Sequence, residues 1–303
     1  MSLFNFLVSK TIMHVPGPIV GFFARSYIAG EALKDAVRVT RELNGKGMMA
    51  TVDVLGEFIT RKEEATGFKE ECLAVLQAIK AEGLDANLSI KPTQMGLLLD
   101  KEFCFANIRE IVARARELNN FVRIDMEDIS TTDDTLDFYR RLRAEFPGHV
   151  GVVLQAYLRR TPADIDQLSD APMNFRLCKG IYREPRTAAY KDPETINRNF
   201  VHCLDKIFVK KGYVGIATHD EKLVFEALQL IDKYGLQRDE YEFQMLLGVD
   251  EELRQIVIDA GHRLRIYVPY GDAWLPYSKR RLRENPAIAR HALRQMLGMK
   301  PGG

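Results

Sequence analysis

The 303-residue sequence has few of the residues that mark disulfide-rich or metal-binding proteins. Its four cysteines form no C-x-x-C pair and do not stand at metal-ligand spacing with histidine. This pattern predicts inert thiols in a reducing cytoplasm and no disulfide framework. The net charge is only +1, from 43 basic and 42 acidic residues. No overall field therefore draws the chain to nucleic acid or to acidic lipid.

Long apolar runs are also missing. The N-terminal segment begins apolar, but Lys10, His14, Pro16 and Pro18 interrupt it before the ~20 residues that a membrane-spanning helix needs. It lacks the basic start and the cleavage site of a signal peptide. Two interpretations stay open: a pair of short helices packed on the domain, which we favour, and a peripheral contact with a membrane surface.

Several motifs of nucleotide binding and hydrolysis are absent. We find no Walker motif, no G-x-S-x-G, no H-E-x-x-H, and no G-x-G-x-x-G after the first predicted strand. The last absence counts against a Rossmann domain. Five histidines are scattered, and we interpret each as structural: His14, His149, His202, His262 and His291. No metal site is predicted.

From residue 48 onward, short apolar or β-branched stretches alternate with longer segments of helical periodicity. The predicted strands are 48–54, 87–90, 121–125, 150–154, 175–178, 213–217, 240–245 and 264–268. The helices predicted to follow them are 61–81, 103–118, 132–146, a short one after 161–162, 193–210, 221–234, 251–260 and 277–282. Eight such units predict an α/β fold, a (βα)8 TIM-type barrel with extra N-terminal helices. We expect an N-terminal helical segment at 1–45 and a catalytic barrel domain at 46–303, with a final helix at 286–297.

Polar residues follow most of the predicted strands, where (βα)8 enzymes place their chemistry. They are Lys91, Asp125, Gln155, Arg176, Lys179, Thr218, His219, Asp220, Gln244 and Tyr267, with Arg280 and Arg281 on the helix after the last strand. For any one of them, a capping or solvated strand end is the simpler interpretation. Together they set five cations against only Asp125 and Glu284, which predicts a mouth that binds an anionic carboxylate or phosphate.

Ten short segments, in order across nearly the whole chain, resemble sequences of the proline dehydrogenase family. They are YIAGE (27–31), DVLGE (53–57), SIK (89–91), ID (124–125), LQAY (154–157), RLCKGIY (176–182), ATH (217–219), YEFQML (241–246), RIYVPYG (265–271) and YSKRRLRE (277–284). Any one is weak, but ten in register are specific. The length is similar to that of the monofunctional bacterial type, which has no fused aldehyde dehydrogenase.

The resemblance implies an oxidoreductase in which a distorted (βα)8 barrel binds FAD noncovalently. It implies oxidation of L-proline to Δ1-pyrroline-5-carboxylate by hydride transfer to flavin N5, the first step of proline catabolism to glutamate. Electrons would pass to a membrane quinone. The implied location is the cytoplasm, with peripheral attachment to the inner face of the cell membrane as the alternative.

The same resemblance assigns roles to individual residues. The implied catalytic pair is Asp125 and Arg176, with Arg176 near flavin N5. The implied substrate-binding residues are Lys91, Arg280 and Arg281 for the carboxylate, Tyr182, Leu246, Tyr267 and Tyr277 for the ring, and Glu284 as a gate. The implied FAD contacts, besides Arg176, are Gln155 at the isoalloxazine edge, with Met126, Lys179, Gly180, Ile181, Thr218 and His219. Ile181 and Arg183 depart from the residues usual in the family, which leaves the choice between proline and hydroxyproline open.

Two other functions fit the residues without the resemblance. One is a lyase that forms a Schiff base through Lys91 or Lys179, which requires a lysine of depressed pKa. The other is a non-catalytic scaffold, which the polar mouth disfavours. Flavin absorbance would contradict the lyase, and borohydride trapping of a substrate on the protein would favour it.

Overall fold

The computed structural model describes residues 20–21, 27–56, 59–275 and 277–279. Helix 286–297, most of the N-terminal segment and the side chains of Arg280, Arg281 and Glu284 lie outside the described residues. The division of the chain at residue 45 stays a prediction.

Eight parallel strands close into a barrel in which each strand pairs with the next and β1 pairs with β8. The strands are β1 (Met49–Val54), β2 (Ala86–Ile90), β3 (Val122–Ile124), β4 (Val150–Gln155), β5 (Asn174–Cys178), β6 (Tyr213–Ala217), β7 (Tyr241–Leu246) and β8 (Leu264–Tyr270). The predicted (βα)8 fold is thereby confirmed. Because all strands run in one direction, their C-terminal ends meet at one mouth.

Helices connect the strands around the outside of the barrel. They are α1 (Leu33–Asn44), α2 (Lys62–Ala81), α3 (Lys101–Glu117), α4 (Thr132–Glu145), α5 (Thr161–Gln167), α6 (Pro193–Val209), α7 (Glu221–Tyr234) and α8 (Glu251–Asp259). Helix α1 precedes β1, and a 3-10 turn at Ile129–Thr131 precedes α4. None of the helices within the described residues has both the length and the apolar character that a membrane crossing requires.

Aspartates fix the starts of several helices. Asp100 accepts a hydrogen bond from the backbone N–H of Phe103, so α3 begins two residues before the predicted start at 103. Asp192 caps α6, where Pro193 occupies the first turn. Asp220 caps α7 through the N–H of Lys222. These caps place each helix immediately after a loop of the mouth.

The strands are buried on both faces, as expected when helices cover the outside of the sheet and side chains fill its centre. Strand β8 runs two residues beyond the predicted end at 268, to Tyr270. Pro269 carries no N–H, but its carbonyl accepts from Ala29 N at 2.9 Å, so a segment before β1 supports the extension. The N-terminal part of the chain therefore touches the end of the last strand.

Candidate active site

Five side chains meet at the mouth, each from a different strand or from the residue directly after one, and we call them the central cluster: Asp53, Lys91, Asp125, Arg176 and Tyr267. Lys91 Nζ lies 2.6 Å from Asp53 Oδ1 and 3.8 Å from Asp125 Oδ2. Arg176 Nη1 donates to Asp125 Oδ1 at 2.6 Å, and Tyr267 Oη donates to Asp125 Oδ2 at 2.8 Å. The two predicted catalytic residues are thus a direct ion pair.

Burial makes these contacts strong. The Asp53 side chain is fully buried, and those of Lys91, Arg176 and Asp125 are 9%, 8% and 13% exposed. Charges shielded from water cost several kcal/mol each unless they are paired and hydrogen-bonded. Mutual pairing is therefore what allows two acids and two bases to share this space.

Asp125 is ionised. Burial alone would raise its pKa, but Arg176 and Lys91, with hydrogen bonds from Ser89 and Tyr267, outweigh burial and hold the pKa below its ordinary value. Ser89 Oγ lies 2.7 Å from Asp125 Oδ1. Burial and the neighbouring carboxylates raise the pKa of Tyr267 well above its ordinary value, so this phenol stays protonated and donates.

Lys91 is charged as well. Burial works against its ammonium form, but Asp53 and Asp125 outweigh burial and raise the pKa of Lys91. The pKa of Asp53 is also raised, by burial first and by the nearby Asp125 carboxylate, with Lys91 opposing both. This environment is the opposite of the one that makes a lysine nucleophilic.

A second ion pair lies in the loops after β5 and β6. Lys179 Nζ is 2.6 Å from Asp220 Oδ2, which also accepts from Asn197 Nδ2 at 3.2 Å. Burial would raise the pKa of Asp220, but the hydrogen bond and charge of Lys179 lower it below its ordinary value. Asp220 therefore caps α7 and anchors a predicted cofactor residue.

One expectation about charge is wrong. The cations of the mouth were expected to face only Asp125 and Glu284, yet Lys91 has Asp53 as its nearest carboxylate and Lys179 has Asp220. Asp53 lies inside β1, one residue before its end, so polar residues that follow the strands do not include it. A charged residue inside the otherwise apolar stretch MATVDV was the signal that could have found it.

Several buried polar atoms near the mouth have no hydrogen-bond partner among the described residues, among them Gln155 Oε1, Arg176 Nη2 and Asp53 Oδ2. The Gln155 amide is fixed, because its Nε2 donates to the carbonyl oxygens of Met126 and Glu127 at 3.0 and 2.8 Å. The acceptor Gln155 Oε1 on β4 and the donor Arg176 Nη2 on the neighbouring β5 are therefore available to a ligand. Buried polar groups in native proteins are rarely left unpaired, so this arrangement suits a polar ligand.

The remaining described candidates line the same mouth. Thr218 is buried, and its Oγ1 accepts from Asp220 N at 3.0 Å. His219 Nε2 accepts from Leu246 N at 2.9 Å, which joins a predicted cofactor residue to a predicted substrate residue. Met126 is buried, whereas Ile181 and Tyr182 are partly exposed in the loop after β5.

Gly180, the second residue of that loop, has a φ of +104°, and a side chain there would overlap the ring of Tyr157. Only glycine fits both constraints. Tyr277 is buried in a small cluster with Tyr27 and Leu55, and it is near enough to Lys91 to contribute to the raised lysine pKa.

Comparison with known proteins identifies the family of the chain. The sequence model of the proline dehydrogenase family matches residues 36–294. Proline dehydrogenase 1 of Bacillus subtilis subsp. natto is 37% identical over 274 residues, and proline dehydrogenase of Deinococcus radiodurans is 34% identical over 278 residues; each match covers 90% of both chains.

Among solved structures, proline utilization A from Bdellovibrio bacteriovorus, inactivated by N-propargylglycine, has a TM-score of 0.81 at 22% identity. The match covers 92% of this chain and 36% of that chain, and at this identity it shows the fold alone. The fold and the two sequence relationships lead to one assignment: the chain belongs to the proline dehydrogenase family and is an oxidoreductase.

Proposed function

We propose that this oxidoreductase converts L-proline to Δ1-pyrroline-5-carboxylate, with noncovalent FAD as its cofactor and a membrane quinone as the final electron acceptor. The observation that carries the proposal is the central cluster, in which a buried carboxylate is flanked by two cations beside an unpaired donor and an unpaired acceptor. Loss of a hydride from the carbon next to the ring nitrogen, with loss of the N–H proton, gives the C=N bond of the product.

The residues of the mouth fit a flavin. An isoalloxazine edge presents both N–H donors and carbonyl or ring-nitrogen acceptors. Gln155 Oε1 and Arg176 Nη2 supply the complementary acceptor and donor, and both are buried without a partner in the described part of the chain. Lys179, Gly180, Thr218 and His219 would hold the rest of the cofactor.

When bound, FAD supplies a hydride acceptor at N5. The contribution of the protein is placement and charge: Arg176 gives the mouth a fixed cation, and Asp125 holds the guanidinium in one orientation. Cations near a reduced flavin stabilise the negative charge that it gains.

Lys91 is the described residue that we assign to the proline carboxylate. Its ammonium group has three N–H donors, of which Asp53 and Tyr267 engage two, at 2.6 and 3.4 Å. Arg280 and Arg281 are proposed to complete the clamp, with Glu284 as its gate. A clamped carboxylate holds the reacting carbon in one place, which lowers the entropic part of the barrier.

The pocket walls are assigned to Tyr182, Leu246, Tyr267 and Tyr277. Tyr267 and Tyr277 are partly or wholly buried, and aromatic surfaces of this kind suit a five-membered ring and exclude water. Tyr267 has a second role, since its hydroxyl fixes the second oxygen of Asp125.

The decisive experiment is an anaerobic absorbance spectrum from about 300 to 550 nm, before and after proline is added. We expect flavin bands that bleach with proline and persist with alanine. A protein that shows no flavin bands after incubation with FAD would contradict the proposal. Borohydride trapping of a carbonyl substrate on the chain would favour the lyase, which the raised pKa of Lys91 disfavours.

The quinone is tested separately. We expect proline-dependent reduction of a soluble quinone analogue and slow reaction with oxygen. Brisk reduction of oxygen or NAD without quinone reduction would contradict this part of the proposal. For the peripheral membrane contact, we expect liposome cosedimentation that does not depend on acidic lipid, because the net charge is +1.

A further inference from the structure

Arg176 is held from inside the barrel by a run of buried polar side chains, which we call the interior ladder: Gln244, Glu242 and Arg265. Arg176 Nε donates to Gln244 Oε1 at 2.5 Å, and Gln244 Nε2 donates to Glu242 Oε1 at 2.6 Å. Glu242 in turn accepts from Arg265 Nε at 2.7 Å. All three ladder residues are more than nine-tenths buried.

The ladder has a fixed direction. Glu242 is an ionised carboxylate, so it accepts hydrogen bonds and donates none. The Gln244 amide must therefore turn its NH2 group toward Glu242 and its oxygen toward Arg176. With the amide reversed, two donors would face each other at Arg176 and two acceptors at Glu242. The charge on Glu242 thus sets the orientation of the Gln244 amide, whose oxygen accepts from Arg176.

A glycine on β6 leaves the space through which the ladder reaches Arg176. Gln244 is on β7 and Arg176 is on β5, so the contact must cross β6. At the crossing point β6 carries Gly215, which is in register with Arg176 on one side and with Glu242 on the other. A Cβ at Gly215 would overlap the Gln244 amide. Glycine weakens a strand interior, and close approach by another group is a recognised reason for it.

We propose that Gln244, Glu242 and Gly215 act as positioning residues for the reaction. They fix the Arg176 guanidinium so that Nη1 binds Asp125 while Nη2 stays available at the mouth. In this proposal the ladder acts on the reaction only through its contact with Arg176. The inference rests on the proposed function only in that Arg176 acts on the bound flavin.

The first test is Gln244→Met, which keeps the volume of the side chain and removes its amide. We expect kcat to fall by about 10- to 100-fold, because a misplaced catalytic group costs rate of that order. The KM for proline should stay within about twofold, because Lys91 is not on the ladder. In an Arg176→Lys background, Gln244→Met should cause little further loss of kcat, because Lys lacks the Nε donor.

The matched control is Thr51→Val. Thr51 Oγ1 donates a buried hydrogen bond to Asn87 Oδ1 at 2.5 Å in the same barrel interior, and neither residue is a member of the ladder. This variant should lower Tm by a similar amount and leave kcat unchanged. The control distinguishes the effect of losing any buried hydrogen bond from the effect of losing the hydrogen bond between Gln244 and Arg176.

The second test displaces the Gln244 amide without removing it. Gly215→Ala should lower both Tm and kcat, because the added methyl group displaces the Gln244 amide. Gly215→Ala combined with Gln244→Ala should regain Tm relative to Gly215→Ala alone, since the overlap is gone. Its kcat should stay low, because Arg176 still lacks its partner. A double variant that regains both would contradict the proposal.

In the first test, either of two results would overturn the inference: wild-type kcat in Gln244→Met, or the same fold-loss of kcat in the Arg176→Lys background. If the wild-type protein shows no flavin and no reaction with proline, the proposed function fails, and thermal unfolding still tests the ladder. The Tm loss of the Gln244→Met, Arg176→Lys double variant should be smaller than the two single losses combined. Additive losses would contradict the ladder even then.

Discussion

Asp125 organises the mouth, because two cations and a phenol converge on its two oxygens. A neutral side chain of the same shape cannot satisfy them, since an amide offers one acceptor and places donors against donors. The charge of Asp125 therefore matters more than its volume.

We expect Asp125→Asn to lower kcat/KM for proline by about 100-fold, because Arg176 and Lys91 lose the carboxylate that orients them. Steady-state kinetics with a quinone analogue measures this. Glu127→Gln is the control, because this buried acid binds Thr93 and forms no ion pair with a cation in the described part of the chain. Equal losses in both variants would mean that the mouth responds to any buried acid.

Lys91→Met should raise the KM for proline at least about tenfold while FAD stays bound, because the variant removes the charge-assisted bond that we propose to the proline carboxylate. The same outcome is expected of Arg280→Met from the family resemblance. Lys62→Met, at a surface pair with Asp100, is the control. Proline titration followed by flavin absorbance gives the affinity, and unchanged affinity in Lys91→Met would contradict the clamp.

Residue types at strand ends were predictable, but their partners were not. Lys91, Asp125, Gln155 and Arg176 follow from position alone, since parallel strands of a barrel end at one mouth. The Asp53 partner and the Gln244 contact depend on which way side chains point and how far they reach. Those properties depend on neighbouring strands that are distant in the sequence.

At the scale of elements, the loop after β5 is constrained at its first two residues. Lys179 at its start is tied to the cap of α7 by Asp220, and Gly180 next to it is packed against Tyr157. The loop therefore has little freedom to adapt.

We expect Gly180→Ala to destabilise the protein and to lose FAD, because the methyl group meets both an unfavourable φ and the Tyr157 ring. Gly148→Ala separates the two effects, since Gly148 has a φ of +83° and open space around its Cβ position. Thermal unfolding should show a loss of about 1 kcal/mol for Gly148→Ala and a clearly larger one for Gly180→Ala. Equal losses would mean that the ring contact is unimportant.

Element types were predictable because helix and strand periods differ and each unit repeats the same order. Ends were less so. The extra two residues of β8 depend on Ala29, which is more than 200 positions away in the sequence and donates to the Pro269 carbonyl. No pattern local to residues 264–270 contains that contact.

At the scale of the whole molecule, the barrel is filled by ionised groups at its centre as well as by apolar side chains. Burial would raise the pKa of Glu242, but Arg265, Tyr213 and Gln244 lower it to about 2. Because the folded pKa lies below the ordinary value of 4.5, the contribution of Glu242 to stability is complete above about pH 4.5 and is lost as pH falls toward 2.

We expect Glu242→Gln to lower the free energy of unfolding by about 3–5 kcal/mol at neutral pH, because Arg265 loses its buried partner. The difference in free energy of unfolding between the wild type and Glu242→Gln should become smaller below pH 4.5. The total decrease should be roughly 3 kcal/mol, since each pKa unit corresponds to 1.36 kcal/mol. Urea unfolding at pH 7, 4 and 3 measures the free energy of unfolding of both proteins. Glu145→Gln, at an exposed pair with Arg109, is the control. Parallel stability curves for Glu242→Gln and the wild type would contradict the assignment.

The pairing of β1 with β8 has a consequence for the timing of synthesis. Thr51 is in register with Tyr267, and Asp53 with Pro269, so the two strands that close the barrel are separated by most of the chain. A nascent chain that has not yet reached β8 already carries Lys91, Asp125 and Arg176 but lacks the Tyr267 hydroxyl that fixes Asp125. The central cluster is therefore completed only when β8 has left the ribosome, and no shorter translation product has all of its members.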